Sequence, residues 1–166
     1  MSEPAAPQPP GRTTEDQKEF RDATPESGRL IGIDAGTKTL GLALSDVRRM
    51  IASPLETIRR TKFKADAERL LSLVAEHNVI GLVLGLPLNL DGSEGPRAQA
   101  TRALARNLNK LSPLPILLWD ERLTTAEAQR MLIDADQTRK RRAEVIDKLA
   151  ATIILQSALD RFNHKA

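Results

Sequence analysis

The fold is decided by one stretch, residues 29–46, which reads Arg29-Leu30-Ile31-Gly32-Ile33-Asp34-Ala35-Gly36-Thr37-Lys38-Thr39-Leu40-Gly41-Leu42-Ala43-Leu44-Ser45-Asp46. Two apolar runs, 30–33 and 40–44, flank a short polar turn, and this pattern predicts a β-hairpin of buried strands. Asp34 ends the first strand, where a carboxylate beside the core is costly unless it is paired or binds a cation. Gly36 leaves room there for a phosphate or a metal ion. Asp34 is therefore either a turn-capping residue held by backbone N–H groups or a metal-binding carboxylate.

The composition limits the class of protein. A length of 166 residues predicts one domain with a sizeable core. The chain has no cysteine, which excludes disulfides and thiolate metal sites. No apolar run approaches the ~18 residues of a membrane span, and residues 1–28 contain no apolar signal-peptide core. These features predict a soluble, cytoplasmic protein without membrane contact.

The first 28 residues differ in composition from the rest. They hold five of the ten prolines and few apolar residues, which predicts a disordered tail that the folded domain does not need. Six acids and three bases give this tail a net charge of −3, so the remainder of the +3 chain carries +6. A basic body of this kind fits a polyanionic partner.

Hydrophobic periodicity and turn residues predict the elements that follow the hairpin. An apolar strand, a helix and a second apolar strand in succession imply parallel pairing beside the hairpin. In chain order the predicted elements are an edge strand over 51–58 broken by Pro54, a helix over 65–77, a strand over 79–86, a helix over 96–111, a strand over 115–119, a helix from Thr124 or Thr125 to Asp134, and a helix over 139–162.

Two loops at the ends of predicted strands carry acids. The glycine-rich loop 85–96 follows the carboxyl end of a strand, where open α/β sheets bind ligands, although it can also be a plain connection. Asp120, Glu121 and Arg122 follow the next strand directly. Adjacent acids with an arginine form an ordinary surface ion pair in many proteins, but their place at a strand end favours a site.

The last predicted helix begins with four bases, residues 139–142. A cationic first turn opposes the helix dipole, so it needs another reason, such as phosphate binding. A second basic run, 59–64, is either a solvated loop or a phosphate contact. Asp147 shares a helix face with Ala143 and Ala151, which directs it toward the packed side, where acids seldom lie without a partner.

Asp34, Glu121 and Asp147 thus come from separate segments that the fold can bring together. The order of elements matches an RNase H-like α/β fold over residues 29–163: a five-stranded mixed sheet, with an antiparallel hairpin and edge strand followed by parallel strands, and helices on both faces. Convergent carboxylates hold hard divalent cations through oxygen. Two such cations, activating water and stabilising the leaving oxygen, suit phosphodiester hydrolysis.

Six motifs, in order, closely resemble the YqgF/RuvX family over residues 28–162. They are Gly32 to Lys38, Ser45-Asp46, Gly85-Leu86-Pro87, Asp91 to Gly95, Asp120 to Thr125, and Asp147 to Ala151 with Ile154 to Gln156. Members of this RNase H-like family are described as Holliday junction resolvases and as nucleases for the 5′ end of precursor 16S ribosomal RNA. The resemblance implies that Asp34, Glu121 and Asp147 are the catalytic, metal-binding acids, with Mg²⁺ or Mn²⁺ as the cofactor.

The chain departs from the family pattern in two places. Relatives that resolve junctions carry an acid on the strand that here ends in Gly85-Leu86-Pro87, and this chain has none there. Asp91, Glu94 and Asp120 are the acids that can compensate. The hairpin turn has Thr39 where the family often has arginine, which removes one phosphate contact. The remaining candidate nucleic-acid-binding residues are Lys38, Arg122, Arg139, Lys140, Arg141 and Arg142.

The leading prediction is a nuclease, a metal-dependent endonuclease acting on structured RNA in ribosome maturation, as a monomer or homodimer. Junction DNA is the close alternative substrate. The body has only three aromatic residues, so contact with backbone phosphate or with nucleic-acid shape should outweigh base stacking. Two other classes stay open: a phosphotransferase that uses its Asp-x-Gly hairpin around ATP, which normally requires two lobes, and a nucleic-acid-binding module without catalysis.

Overall fold

The computed structural model describes residues 11–124 and 139–163, and the side chains of the second range from residue 148. The predicted helix from Thr124 or Thr125 to Asp134 lies outside the described residues. The elements, in chain order, are β1 (Thr13–Thr14), α1 (Gln17–Ala23), β2 (Arg29–Ala35), β3 (Thr39–Ser45), β4 (Ala52–Arg59), α2 (Phe63–His77), β5 (Val79–Leu86), α3 (Pro96–Leu111), β6 (Ile116–Asp120), a 3-10 turn (Glu121–Leu123) and α4 (Arg139–Asn163).

One mixed sheet joins all the described strands, in the order β1-β6-β5-β2-β3-β4. The hairpin strands β2 and β3 pair antiparallel, as do β3 and β4. The strands β5 and β6 continue the sheet on the other side of β2 in parallel pairing. The register of β3 and β4 shifts between Leu42 and Ala43, and Pro54 pairs opposite Ala43. The predicted hairpin, parallel strands and proline-containing edge strand are therefore confirmed.

Helices cover both faces of the sheet. One face buries Leu70 of α2 and Leu108 of α3, and the other buries Leu155 of α4. Gly32 on β2 allows α4 to lie close, because a Cβ atom there would be 2.6 Å from Cβ of Leu155 and 3.0 Å from the carbonyl oxygen of Ala151. The helix α4 therefore packs directly over the strand that carries Asp34.

The sheet has six strands rather than the predicted five, because the segment before β2 joins it. Thr13 pairs with Ile116 at the free edge of β6, where unpaired backbone groups accept a short extra strand. Phe20 of α1 is fully buried and stacks against Phe162, with ring centroids 6.0 Å apart. The expectation of a disordered tail through residue 28 is therefore wrong for residues 13–23.

The buried position of Phe20 depends on a glycine that sequence periodicity does not reveal. A Cβ atom on Gly81 of β5 would lie 2.9 Å from Cζ of Phe20. The missing side chain leaves a slot on the sheet that one aromatic ring fills.

Among the described residues, no helix is both long and apolar enough to cross a membrane.

Candidate metal centre and nucleic-acid interface

Asp34 and Glu121 lie at the carboxyl ends of two strands that flank β5. Asp34 is the penultimate residue of β2, and Glu121 follows the last residue of β6. Gly85, near the end of β5, separates them. A Cβ atom there would be 3.0 Å from Oε1 of Glu121 and 2.6 Å from Cδ1 of Ile154. The carboxylate of Glu121 therefore lies over the end of the strand that lacks an acid of its own.

The two carboxylates interact electrostatically. The pKa of Glu121 is raised to about 7, chiefly by burial of its carboxyl group and next by the negative charge of Asp34. Asp120 adds to the rise in this pKa, and the Arg97 guanidinium opposes it. Like charges held close in a partly desolvated site repel each other, and a bound cation relieves that repulsion.

This pair of carboxylates has the chemistry that a hard divalent cation requires, because Mg²⁺ and Mn²⁺ prefer oxygen ligands. Within the described ranges, no group of three or more acidic or histidine side chains is placed to hold a metal ion. The side chain of Asp147 lies outside the described residues. Its backbone is in α4, one helical turn before Ala151, which packs against Gly32. The role of Asp147 therefore stays a prediction.

Asp120 is one of the acids that can compensate for the acid missing from β5, and it is paired with Arg122. The Nη2 atom of Arg122 donates to Oδ2 of Asp120 at 2.7 Å, and Nε donates to Oδ1 at 3.0 Å. This contact holds the pKa of Asp120 below its usual value. The Nη1 atom of Arg122 also lies 3.4 Å from the carbonyl oxygen of Leu90. Arg122 therefore links the end of β6 to the loop after β5.

Asp91 and Glu94 are the other two acids that can compensate for the acid missing from β5. Both make polar contacts in or beside the loop that follows this strand. Asp91 accepts hydrogen bonds from the backbone N–H of Ser93 at 2.9 Å and from its hydroxyl at 2.6 Å. Glu94 pairs with Nε of Arg102 at 2.5 Å, and Arg102 also reaches Glu15 at 3.1 Å. In the part of the chain that is described, these acids do not belong to a metal-binding group of three or more side chains.

Two arginines hold the hairpin turn that follows Asp34. Nη1 of Arg60 donates to the carbonyl oxygen of Gly36 at 2.6 Å, and Nη2 of Arg97 donates to that of Ala35 at 2.5 Å. Because of its bond to Gly36, Arg60 is not the solvated loop residue that one interpretation of the basic run 59–64 expected. Lys38 is exposed at the tip of the same turn. The side chains of residues 139–142 lie outside the described residues.

Sequence reasoning missed Arg97 altogether. A usable signal existed, because Arg97 follows Pro96 in the first turn of α3, where a cation opposes the helix dipole. The same argument applies to residues 139–142. A single cation after an acidic loop gives a weaker pattern than four consecutive bases, so the sequence marks Arg97 less clearly.

Comparisons with known proteins add independent findings. A family model described as "RuvX: Holliday junction resolvase" matches residues 28–161. Two relatives bear the name "Putative pre-16S rRNA nuclease". The one from Paracoccus denitrificans is 60% identical over 147 residues, which are 89% of this chain and 93% of the relative. The one from Cereibacter sphaeroides is 62% identical over 146 residues, which are 88% of this chain and 91% of the relative.

Solved structures show the same fold at low sequence identity. The RuvC protein of T. thermophilus, solved with a Holliday junction substrate, superposes with a TM-score of 0.53 at 13% identity, covering 82% of this chain and 96% of that one. The yeast mitochondrial Holliday junction resolvase Ydc2 superposes with a TM-score of 0.52 at 12% identity, covering 86% and 82% respectively. The predicted RNase H-like fold class is thus confirmed.

Proposed function

Since the chain belongs to the RuvX family, we propose that it is a metal-dependent endonuclease that matures the 5′ end of precursor 16S rRNA. The observation that carries this proposal is the pair formed by Asp34 and Glu121, which interact at the ends of strands on either side of Gly85. The names of relatives about 60% identical along nearly the whole chain support the choice of substrate. The reaction is the hydrolysis of a phosphodiester bond.

Asp34 and Glu121 hold Mg²⁺ or Mn²⁺ in this proposal, with Asp147 as the third acid. When bound, the cation activates water and neutralises charge on the phosphate. The burial of Glu121 and its closeness to Asp34 make its ionised form unfavourable without a cation, so the protein alone binds the metal more readily as pH rises toward 7.

Basic side chains around this metal centre bind the phosphate groups of the substrate. Lys38 lies exposed on the turn next to Asp34, and Arg122 lies beside the loop after β5. The run 139–142 adds four further bases. The scarcity of aromatic residues supports recognition of backbone phosphate and folded shape rather than of unstacked bases.

Cleavage assays on two substrates test the proposal. A labelled precursor 16S rRNA 5′ fragment and a four-way DNA junction are incubated separately with the protein in Mg²⁺, Mn²⁺ and EDTA. We expect cleavage of the rRNA fragment that requires metal. Asp34→Asn and Glu121→Gln should each lower the rate by about a hundredfold or more, since both remove a metal ligand. Glu68→Gln, an exposed site on α2, is the matched control and should cleave at the wild-type rate.

Junction resolution is the second candidate, because the family model carries that description. Metal-dependent cleavage of the DNA junction but not of the rRNA fragment would move the assignment to this activity. Binding of either nucleic acid without cleavage in either metal would contradict a nuclease and favour a binding module.

A further inference from the structure

Arg97 places a cation at the turn after Asp34 and within electrostatic reach of Glu121. Its Nη2 atom donates to the carbonyl oxygen of Ala35, the residue after Asp34, at 2.5 Å. Its guanidinium also interacts electrostatically with the carboxylate of Glu121. The side chain is half-buried. One guanidinium therefore lies next to the backbone of one acid and within electrostatic reach of the other.

The local structure of α3 does not account for a cation at this position. Arg97 is the second residue of the helix, the first turn contains no acid, and the N-cap residue Gly95 gives no side-chain hydrogen bond. A positive side chain in the first turn opposes the helix dipole, whereas an anion there is favoured. Arg97 and the uncapped helix start together make this corner of the site suited to a negatively charged group.

Among the described residues, few partners use the hydrogen-bond donors of Arg97. A guanidinium has five N–H donors in a planar fork that matches two oxygens of a phosphate. In the described ranges, the structure records one hydrogen bond from this side chain, the bond to Ala35. The remaining donors lie at a half-exposed position beside the turn after Asp34 and within electrostatic reach of Glu121.

We propose that Arg97 is a catalytic residue that binds the non-bridging oxygens of the scissile phosphate. This inference rests on the proposed nuclease function. During hydrolysis a water oxygen bonds to phosphorus and loses a proton, while the bond to the leaving sugar oxygen breaks and that oxygen gains a proton. Negative charge on the non-bridging oxygens is stabilised by the fixed guanidinium donors. Arg97 acts in this step only as a hydrogen-bond donor to the phosphate oxygens.

Arg60 can be compared directly with Arg97, because both arginines donate to backbone carbonyls of the same turn. It donates to Gly36, the next carbonyl of the same turn, at 2.6 Å, so it also stabilises the turn. Unlike Arg97, it has no recorded electrostatic effect on Glu121 among the described residues. Loss of Arg60 should disturb the turn alone, whereas loss of Arg97 should also remove the phosphate contact.

The test compares Arg97→Gln, Arg97→Lys and Arg60→Gln, with Arg106→Gln on the exposed side of α3 as the charge-matched control. Cleavage kinetics are measured on the substrate that the wild type cleaves, and Mg²⁺ affinity is measured from the emission of Trp119, the only tryptophan. Arg97→Gln should lower kcat by about 10²–10³-fold, as loss of one transition-state donor does. Its Mg²⁺ affinity should equal or exceed that of the wild type, because a positive charge has left the site.

The lysine variant should recover part of kcat, because the charge stays but the planar fork is lost. Arg106→Gln should match the wild type in both measurements. Weakened Mg²⁺ affinity in Arg97→Gln, with kcat restored at saturating Mg²⁺, would mean that Arg97 only stabilises the turn, and the proposal would be overturned. Unchanged kcat in Arg97→Gln would overturn it equally.

A wild type that cleaves neither substrate would overturn the proposed nuclease function by itself. Binding of inorganic phosphate to the Mg²⁺-loaded protein, measured by calorimetry, then decides the role of Arg97 separately. Weaker phosphate binding by Arg97→Gln than by Arg106→Gln supports the phosphate contact. Equal binding by the two variants overturns it.

Discussion

Replacing Glu121 with glutamine should stabilise the metal-free protein at high pH and leave it unchanged at low pH. The pKa of Glu121 is raised from 4.5 to about 7, so between these values the folded state holds a proton that the unfolded state has lost. Ionised Glu121 therefore lowers the free energy of unfolding as pH rises through this window, and the full loss is present above it. Glutamine keeps the shape of the side chain and carries no charge at any pH.

The expected magnitude follows from the size of the pKa change. A shift from 4.5 to about 7 corresponds to about 3 kcal/mol at roughly 1.4 kcal/mol per unit. Glu121 is partly exposed, and solvent screening reduces this value to about 1–2 kcal/mol. Each kcal/mol changes the melting temperature of a domain of this size by ~2–4 °C. Glu121→Gln should therefore melt about 2–8 °C above the wild type at pH 8 in EDTA, and close to it at pH 4.5.

Circular dichroism melts of both proteins between pH 4.5 and pH 8 measure this difference, with Glu68→Gln as the exposed control. Added Mg²⁺ should stabilise the wild type more than Glu121→Gln, since binding to the folded state raises its stability. A variant less stable than the wild type at pH 8 in EDTA would refute the reasoning, because it would mean that the charge of Glu121 has a favourable partner. A difference that does not change with pH would refute it too.

The remaining predictions concern packing, substrate contact and the third acid. Phe20→Ala should lower the free energy of unfolding by about 3–5 kcal/mol in urea titrations, because the ring is fully buried. Gly32→Ala should cost about 1–3 kcal/mol in the same assay, because the new Cβ would overlap α4. Changing all of residues 139–142 to glutamine should flatten the salt dependence of duplex binding, by up to ~0.9 log units per lost phosphate contact. Asp147→Asn should abolish cleavage yet melt no lower than the wild type in EDTA, whereas a structural Asp147 would give an active variant that melts lower.

Most of the architecture was predictable because it depends on local patterns. The strand Val79–Leu86 and the helix Pro96–Leu111 have the bounds that apolar runs, proline and glycine indicated. The pairing of Asp34 with Glu121 also followed from the sequence, since carboxyl ends of parallel strands meet at one sheet edge.

The features that sequence reasoning missed depend on contacts between distant segments. Phe20 is the single apolar anchor of α1, and nothing in its neighbourhood shows that Gly81 leaves a slot for it. The position of Arg97 beside the candidate site likewise depends on its hydrogen bond to Ala35, which is distant in sequence. The lesson for similar chains is that composition describes a segment on average, whereas one side chain in a matching gap can determine whether the segment folds.

In the proposed nuclease, Gly85 and Arg97 together set the charge that a site without an acid on β5 presents to metal and phosphate. A carboxylate at position 85 would collide with Ile154 and would bring a further negative charge onto Glu121, whose ionised form is already unfavourable. Each carboxylate in the site lowers the positive charge that Arg97 and a bound divalent cation present to the phosphodiester. An acid added at position 85 would place one more negative charge beside the three proposed acids. Gly85→Asp should therefore weaken substrate binding even where it strengthens metal binding, and paired titrations of Mg²⁺ and nucleic acid measure the two effects separately.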